Sequence, residues 1–357
     1  MKYSNPSKFS KSKTDRAGII LSNSNSEKEK NNALEVLSNW RAAHSYPMHI
    51  FKKRLKRISE KIDKNALSSQ RLKRVSSIIR KLNRKYGNNE IKQATMKLTQ
   101  MQDIAGCRAV MSNVDLARLL CNEHYIKGDL KHKRVNSKDY ITYPKKDGYR
   151  SIHLIYRYKS DKNKKMYNGL LVEVQIRSKI QHIWATAVET VSFFTGQAIK
   201  SNEGQKEWID FFRLVSSAFA RLENCPLVSN TPPNEKELFL LIKKKEKKLN
   251  VIAKLKNWTK SIKLLDEELK NKINSRFFLL ELDSVQDKLI ITAYSQRQEA
   301  KAIKDYAKVE KRIYDKKEYD VVLVGADTPT DLKKAYPNYF VDTSEFIKYL
   351  NKVLKKY

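Results

Sequence analysis

Cysteine and histidine are scarce in this chain, and neither shows the spacing of a metal site. The three cysteines, Cys107, Cys121 and Cys225, form no C-x-x-C pair. This pattern argues against both a disulfide framework and a cysteine zinc site. The six histidines are scattered along the sequence. The sequence therefore predicts neither a disulfide scaffold nor a zinc centre.

Long apolar runs are also missing. No run approaches the roughly 18 residues of a membrane span, and the N-terminus has no signal-like apolar region. We therefore expect a cytoplasmic protein with no membrane partner. Hydrophobic residues still make up 40% and aromatic residues 10% of the 357 positions. The chain can thus bury a sizeable core, as two domains or as one large domain with an appendage.

Acidic residues are few beside the basic ones. The chain has 39 Asp and Glu against 73 Lys and Arg, which gives a formal net charge of +34. An excess of this size predicts a polyanionic partner, such as a nucleic acid or nucleotide phosphates. A lysine-rich genome is the alternative source of the charge. Clustering favours the partner, because residues 51–85 hold 14 Lys and Arg and only two acids.

The periodicity of apolar residues predicts a mixed α/β fold, with a mixed β-sheet flanked by helices. Helix is expected from about Ala33 to Arg84 and from Ile180 to about Asn224, with strands near Gly106–Met111, Ser151–Tyr158 and Leu170–Arg177. Pro226, Pro232 and Pro233 mark a boundary. We divide the chain into a mobile segment (1–32), a main domain (33–230), a helical linker (231–275) and a small α/β domain (276–357).

The C-terminal part has its own pattern of elements. A long charged helix is expected at about Glu235–Lys272, strands at Arg276–Leu282, Lys288–Ser295 and Asp320–Ala326, and a helix at Gln296–Ile313. Two short helices follow, with Thr328 and Asp342 as the expected N-caps.

One strand carries polar residues on a single face. In Leu171–Arg177, Val172, Val174 and Ile176 alternate with Glu173, Gln175 and Arg177. The apolar side is a core face. The other side aligns a carboxylate, an amide and a guanidinium, which is either a functional site or a solvated surface.

A basic stretch precedes this strand in the sequence. Read as a helix, residues 71–81 place Arg74, Ser77 and Lys81 on one face, with Arg71 one turn earlier. Cations around a hydroxyl suit a triphosphate. The alternative is a solvated basic face.

Two further segments supply a carboxylate and an aromatic ring. Asp103 stands at the entrance to a run of small, strand-forming residues, where it suits Mg²⁺ or caps a turn, and Arg108 is placed to stack on a base. The segment Pro144–His153 presents Tyr149 beside cations on a glycine-containing turn, which suits a stacked base and its phosphates. Glu173 is the natural partner for Asp103 at a metal or in proton transfer.

These four segments, in this order, resemble the pyrophosphokinase domain of the RelA/SpoT alarmone synthetases. The matching patterns are R-x-K-x-x-x-S-I-x-x-K from Arg71, D-I-A-G-x-R from Asp103, P-K-x-x-G-Y-R-S-x-H from Pro144 and V-E-V-Q-I-R from Val172. The resemblance spans about residues 67–189. It implies a nucleotidyltransferase-like fold and transfer of the β,γ-pyrophosphate of ATP to a ribose 3′-hydroxyl, with release of AMP. Since no HD-type hydrolase segment precedes the motifs, it implies a synthetase alone.

The resemblance also implies roles for individual residues. ATP would be bound by Arg71, Lys73, Ser77, Lys81 and Arg108, to which the helical pattern adds Arg74. Asp103 and Glu173 would hold Mg²⁺, and Glu173 would also activate the acceptor hydroxyl. Tyr149 would stack on the acceptor base, with Lys145, His153 and Gln175 nearby.

Two features outside the motifs point to a particular branch of the family. The segment from Trp40 to Pro47, followed by Lys52, Lys53 and Arg54, resembles toxic small synthetases whose acceptor is the 3′ CCA end of tRNA. Cations outside a nucleotide pocket suit a long phosphate backbone. Tyr336 and Tyr339 resemble the Tyr-x-x-Tyr element of fused toxin–antitoxin synthetases of the CapRel kind, in which a zinc-free pseudo-zinc-finger domain holds the enzyme off. Packing of a helix corner is the alternative for these tyrosines.

The resemblance implies a monomeric, autoinhibited tRNA pyrophosphokinase, with a phage protein as trigger. Two rivals stay open. The same site could pass pyrophosphate to GDP or GTP, because Tyr149 fits a guanine as well as a tRNA base. The fold could instead serve a non-catalytic nucleic-acid- or ribosome-binding protein, against which the pair of Asp103 and Glu173 argues.

Overall fold

The computed structural model describes residues 8–83, 96–195, 206–261, 275–283, 286, 288–313, 316, 319–326, 328–335 and 343–356. The helices are α1 Lys11–Asn23, α2 Glu27–Ala43, α3 Ser45–Ile62, α4 Val75–Leu82, α5 Val114–Cys121, α6 Lys179–Phe194, α7 Lys206–Leu222, α8 Glu235–Leu249, α9 Val251–Ser261, α10 Glu299–Arg312, α11 Pro329–Ala335 and α12 Ser344–Leu354. The strands are β1 Leu67–Leu72, β2 Ala105–Met111, β3 Lys133–Asp139, β4 Ile152–Arg157, β5 Leu171–Ser178, β6 Phe277–Asp283, β7 Lys288–Tyr294 and β8 Tyr319–Gly325. None of the helices described has both the length and the apolar character needed to span a bilayer.

The strands form one mixed sheet in the order β3-β4-β5-β2-β1-β8-β6-β7. Only β2 and β5 are parallel among these neighbours. The predicted mixed α/β class is confirmed.

The two faces of β5 have different surroundings, as its alternation predicted. Val172, Val174 and Ile176 are buried in a core that also contains Phe51 and Leu55 of α3 and Leu120 of α5. The opposite face of the sheet carries the polar residues of β5. We call it the site face.

The C-terminal strands extend the sheet of the main domain. β8 pairs with β1 through Gln70↔Gly325 and Arg71↔Val324. On one side of this extension α10 packs its Ala302 and Tyr306 against the strands. On the other side lies Leu332 of α11, together with Val322, Val324 and the half-buried Phe193 and Phe194 of α6.

The last helix also belongs to the main core. Phe346, Leu350 and Val353 of α12 are buried in one cluster with side chains of α6, α7 and α8. The ring of Phe346 lies 5.9 Å from that of Phe212 and 5.7 Å from that of Phe219, centroid to centroid. The 276–357 segment is therefore packed on both the sheet and the helical layer.

Three details of the secondary structure differ from expectation. The continuous helix predicted over 33–84 is wrong, because β1 lies within it. Strand β1 hydrogen-bonds to β2 on one side and to β8 on the other, and these long-range ladders override a helical local pattern. The single helix predicted over 235–272 is interrupted at Asn250. This residue adopts a left-handed conformation (φ 53°) and separates α8 from α9. The N-cap of α12 is Thr343, while Asp342 lies outside the described residues.

The N-terminal segment contains helix α1 and the start of α2, while its mobility stays a prediction. The side chain of Ser10 caps α1 by accepting from the Lys13 amide. Ala17 and Leu21 are buried in a cluster with residues of α2 and α4. The polar composition of residues 1–32 concealed these few apolar positions.

Candidate active site

The site face of four neighbouring strands carries five of the predicted site residues, namely Arg71, Arg108, His153, Glu173 and Gln175. Cross-strand register places Arg71 opposite Gly106, Gly106 opposite Glu173, and Gln175 opposite His153. A cavity of about 120 Å³, here called the floor cavity, opens on this face. Its lining residues are Ser69, Gln70, Arg71, Lys73, Asp103, Gly106, Cys107, Arg108, His153, Glu173 and Gln175.

Asp103 lies at the edge of the floor cavity between two lysines. Its Oδ2 accepts from Nζ of Lys73 and its Oδ1 from Nζ of Lys81, both at 2.9 Å. Burial disfavours the ionised carboxyl, but the two ammonium groups outweigh burial and lower the pKa of Asp103 to about 2. The carboxylate is therefore charged throughout the physiological pH range.

The lowered pKa of Asp103 predicts a pH-dependent contribution to stability. The folded-state pKa lies below the ordinary value of 3.8, so the contribution is present above about pH 4 and is lost as the pH falls toward 2. We expect the difference in unfolding free energy between the parent and Asp103→Asn to shrink by about 1 kcal/mol between pH 5 and pH 3. Urea unfolding at both pH values measures it. An equal difference at both pH values would contradict the shifted pKa.

Glu173 is held on both of its oxygens. Oε1 contacts Nδ1 of His153 at 2.7 Å, and Oε2 accepts from Nε2 of Gln175 at 2.7 Å. Burial opposes the charge, but His153 and Gln175 outweigh it and the pKa of Glu173 is lowered. Nε of Arg108 donates to the amide oxygen of Gln175 at 3.4 Å. These contacts give an ionised carboxylate of fixed orientation on the cavity floor.

A second cavity, of about 140 Å³, adjoins the first at His153. We call it the turn cavity, because the turn before β4 forms one of its walls. The lining residues are Lys145, Asp147, Tyr149, His153, Trp184, Val188 and Phe212. Nζ of Lys145 lies 5.1 Å from the ring centroid of Tyr149 and 4.7 Å from that of Tyr140. The cavity thus combines an aromatic wall with an exposed cation.

The turn is fixed by a glycine pressed against α7. Gly148 has a φ of +96°, and its carbonyl accepts from the Ser216 hydroxyl at 2.6 Å. A Cβ at this position would lie 2.8 Å from Cβ of Ser216 and 3.0 Å from Cζ2 of Trp184. Only glycine fits both the backbone conformation and the space.

Replacing Gly148 with alanine is therefore expected to displace the turn that carries Tyr149. We expect a loss of about 1–3 kcal/mol in unfolding free energy. The matched control is Gly169→Ala, because Gly169 has a similar φ of +92° but no atom within 4 Å of the added Cβ. Urea unfolding compares the two variants. Equal losses would show that backbone strain alone, and not the contact with α7, matters at Gly148.

The other predicted residues lie around these cavities or away from them. Ser77 is half-buried on α4, one turn before Lys81, and Arg74 pairs with Asp320 of β8. On α3, Lys52 is only 9% exposed and Arg54 donates to the carbonyl of His124, whereas Lys53 is exposed. The Lys52 side chain thus lies beside the core, and a role for it in binding tRNA stays a prediction. Tyr336 and Tyr339 lie outside the described residues.

Sequence reasoning missed three residues that line the cavities or stack beside them. Tyr140 packs edge-on against Tyr149 and His153, with ring centroids 6.1 and 5.3 Å apart. Trp184 lines the turn cavity, and Gln70 lines the floor cavity. Asp139 accepts from the amides of Ile141 and Thr142, and this turn signal could have marked Tyr140 as a positioned residue.

The side chains that line the floor cavity suit a hard cation such as Mg²⁺ only when a phosphate ligand is bound with it. Within the described ranges, no group of three or more His, Cys, Asp or Glu side chains is placed to hold a metal. Asp103 and Glu173 both line the floor cavity and supply carboxylate oxygens. Mg²⁺ commonly takes one or two carboxylates and completes its shell with waters and substrate phosphates. The donor set therefore fits Mg²⁺ bound together with a phosphate.

Comparison with known proteins identifies the segment that carries the site. Residues 70–194 match the family described as a region found in RelA / SpoT proteins. Residues 70–194 therefore carry the RelA/SpoT region that the four segments predicted. The match covers about a third of the chain.

Two proteins of Bacillus subtilis (strain 168) are similar over this segment. The chain is 32% identical to the GTP pyrophosphokinase YjbM over 123 residues, which are 34% of this chain and 54% of that protein. It is 34% identical to the GTP pyrophosphokinase YwaC over 119 residues, which are 33% of this chain and 54% of that protein. The chain thus spans about half the length of each relative.

Solved structures of small alarmone synthetases also resemble the chain. Synthetase 1 from Bacillus subtilis bound to its product pppGpp gives a TM-score of 0.42 at 25% identity, over 56% of this chain and 94% of that one. Synthetase 2 from the same organism gives a TM-score of 0.39 at 24% identity, over 49% and 88% of the two chains.

Proposed function

We propose that this chain is an ATP-dependent pyrophosphokinase, which transfers the β,γ-pyrophosphate of ATP to a 3′-hydroxyl and releases AMP. The observation that carries the proposal is the pair of ionised carboxylates, Asp103 and Glu173, lining one cavity with Arg71, Lys73 and Arg108. Both similar proteins of Bacillus subtilis are named GTP pyrophosphokinases.

Different side chains would bind ATP, the pyrophosphate donor, and the acceptor. Arg71, Lys73, Lys81 and Ser77 would bind the triphosphate, and Arg108 would stack on the adenine. As the acceptor 3′-oxygen bonds to the β-phosphorus, the bond from that phosphorus to the α,β-bridging oxygen breaks. The hydroxyl proton would pass to Glu173, whose orientation is already fixed.

Mg²⁺ would be held by Asp103 and Glu173 with the phosphates of ATP. Once bound, it would neutralise charge on the transferring phosphates. Lys73 and Lys81 now neutralise Asp103, so the lysines are placed to turn to the triphosphate when the metal takes the carboxylate.

We take the 3′ CCA end of tRNA as the acceptor. Support comes from the net charge of +34 and from exposed cations such as Lys53 outside the cavities. GDP or GTP is the second candidate, supported by the names of the similar proteins. The turn cavity, with Tyr149 as its aromatic wall, suits either base.

ATP labelled on the γ-phosphate, offered with bulk tRNA or with GDP plus GTP, tests the activity and the acceptor. The full chain is required, because truncation before α12 would remove Phe346, Leu350 and Val353 from the core. Label on tRNA supports the first acceptor, and label on guanosine nucleotides alone supports the second. If neither the parent chain nor the Glu310→Gln variant transfers label to any acceptor, the proposed activity is overturned.

The segment 276–357 is proposed to restrain the enzyme, as in the fused toxin–antitoxin synthetases that the sequence resembles. Support comes from Asp320 of β8, which holds Arg74, and from β8 lying along β1, which carries Arg71. Tyr336 and Tyr339 follow α11, whose Leu332 packs on the site-face side of the extended sheet. In this proposal a phage protein displaces the segment and the freed enzyme blocks translation.

A further inference from the structure

His153 lies between the two cavities and contacts one side chain of each. Its Nδ1 is 2.7 Å from Oε1 of Glu173, and its Nε2 is 2.9 Å from the hydroxyl of Tyr149. The side chain is 15% exposed. The carboxylate accepts, so Nδ1 carries a proton and donates to Glu173.

Both nitrogens of the ring are therefore engaged by protein groups. The imidazole spans the gap between the Tyr149 hydroxyl and the Glu173 carboxylate. Tyr140 supports the ring from the side, with centroids 5.3 Å apart and planes at 86°.

We infer that His153 is a positioning residue. It couples the ring on which the acceptor base stacks to the carboxylate that takes the hydroxyl proton. The inference rests on the proposed function, and it deepens that function by assigning the coupling between acceptor recognition and proton transfer. Gln175 holds one oxygen of Glu173 and His153 holds the other, so the two side chains together fix the orientation of the carboxylate.

Two substitutions separate the two contacts of the ring. The amide of asparagine at this position matches Nδ1, so His153→Asn keeps a donor for Glu173 and loses Tyr149. The longer glutamine matches Nε2, so His153→Gln keeps Tyr149 and loses Glu173. With the acceptor that takes the label, we expect His153→Asn to raise the acceptor KM about tenfold with kcat within about threefold. We expect His153→Gln to lower kcat about 10–100-fold with the acceptor KM within about twofold.

A double-mutant cycle checks that the effect on KM runs through the tyrosine hydroxyl. Tyr149→Phe keeps the stacking ring and is expected to raise the acceptor KM about as much as His153→Asn. Combining the two should add less than about twofold, because both remove the same hydrogen bond. The inference would be overturned if the effects of Tyr149→Phe and His153→Asn on the acceptor KM multiplied. It would also be overturned if His153→Asn and His153→Gln changed KM and kcat in the same way. Neither outcome would affect the proposed activity. A parent chain and a Glu310→Gln chain that transfer to no acceptor would overturn the function and, with it, the inference.

Discussion

Replacing Glu173 with glutamine is expected to reduce pyrophosphate transfer by about 10²–10⁴-fold. The amide matches the carboxylate in shape, so the hydrogen bond to Gln175 and the packing of β5 can persist. What is lost is a group that accepts the proton of the attacking hydroxyl. Transfer of label from ATP, measured at saturating ATP and acceptor, gives the reduction in kcat.

The matched control is Glu299→Gln. Glu299 is also buried, at 8% exposed, and burial raises the pKa of its carboxyl to about 7. It lies at the start of α10, away from the cavities, so the same substitution there should leave transfer within about threefold. Unchanged transfer in Glu173→Gln would remove Glu173 from the chemistry. If the chain arrests growth and Glu173→Gln arrests it equally, the non-catalytic binding function becomes the better explanation.

The part of the site that could be predicted from the sequence is the part that local pattern determines. Alternation in Leu171–Arg177 identified both faces of β5, and the glycine turn before β4 identified Tyr149 as a presented aromatic. The motif from Asp103 gave a carboxylate at the start of β2. In each case a strand or turn of a few residues fixes the direction of the side chain.

What could not be predicted depends on partners far away in the sequence. Arg71 was assigned to a helix, because the basic stretch has helical spacing, but it lies on β1 between β2 and β8. The contact of Arg74 with Asp320 joins residues 246 positions apart. No local pattern specifies which edge of a sheet a later segment will cover. The docking of residues 276–357 therefore appears only in the folded structure.

This docking is anchored by a buried ion pair between α10 and α2. Glu310 of α10 pairs with Arg41 of α2, and their side chains are 7% and 3% exposed. Glu310 also accepts from the amide of Val75 at 2.9 Å, at the first residue of α4. One carboxylate of the C-terminal segment thus holds both α2 and the helix that carries Ser77 and Lys81.

Glu310→Gln leaves the Arg41 guanidinium buried without its counter-charge. Loss of one partner of a buried pair costs about 3–5 kcal/mol, which shifts the equilibrium between docked and released C-terminal segment by about 10²-fold to about 4 × 10³-fold. We therefore expect cells that tolerate the parent chain to stop growing when they express Glu310→Gln. Asp320→Asn, which removes the negative charge beside Arg74 at a less buried pair, should act in the same direction with a smaller effect.

The control uses another ion pair between the C-terminal segment and the main domain. Glu345 of α12 pairs with Lys179 of α6, but these side chains are 41% and 54% exposed. Exposed pairs contribute little, so Glu345→Gln should leave growth unchanged. Adding Glu173→Gln to the Glu310→Gln chain should restore growth, because arrest requires transfer. Normal growth of Glu310→Gln at parental expression level and helix content would contradict restraint through this contact. Arrest that persists without Glu173 would show that release acts through something other than pyrophosphate transfer.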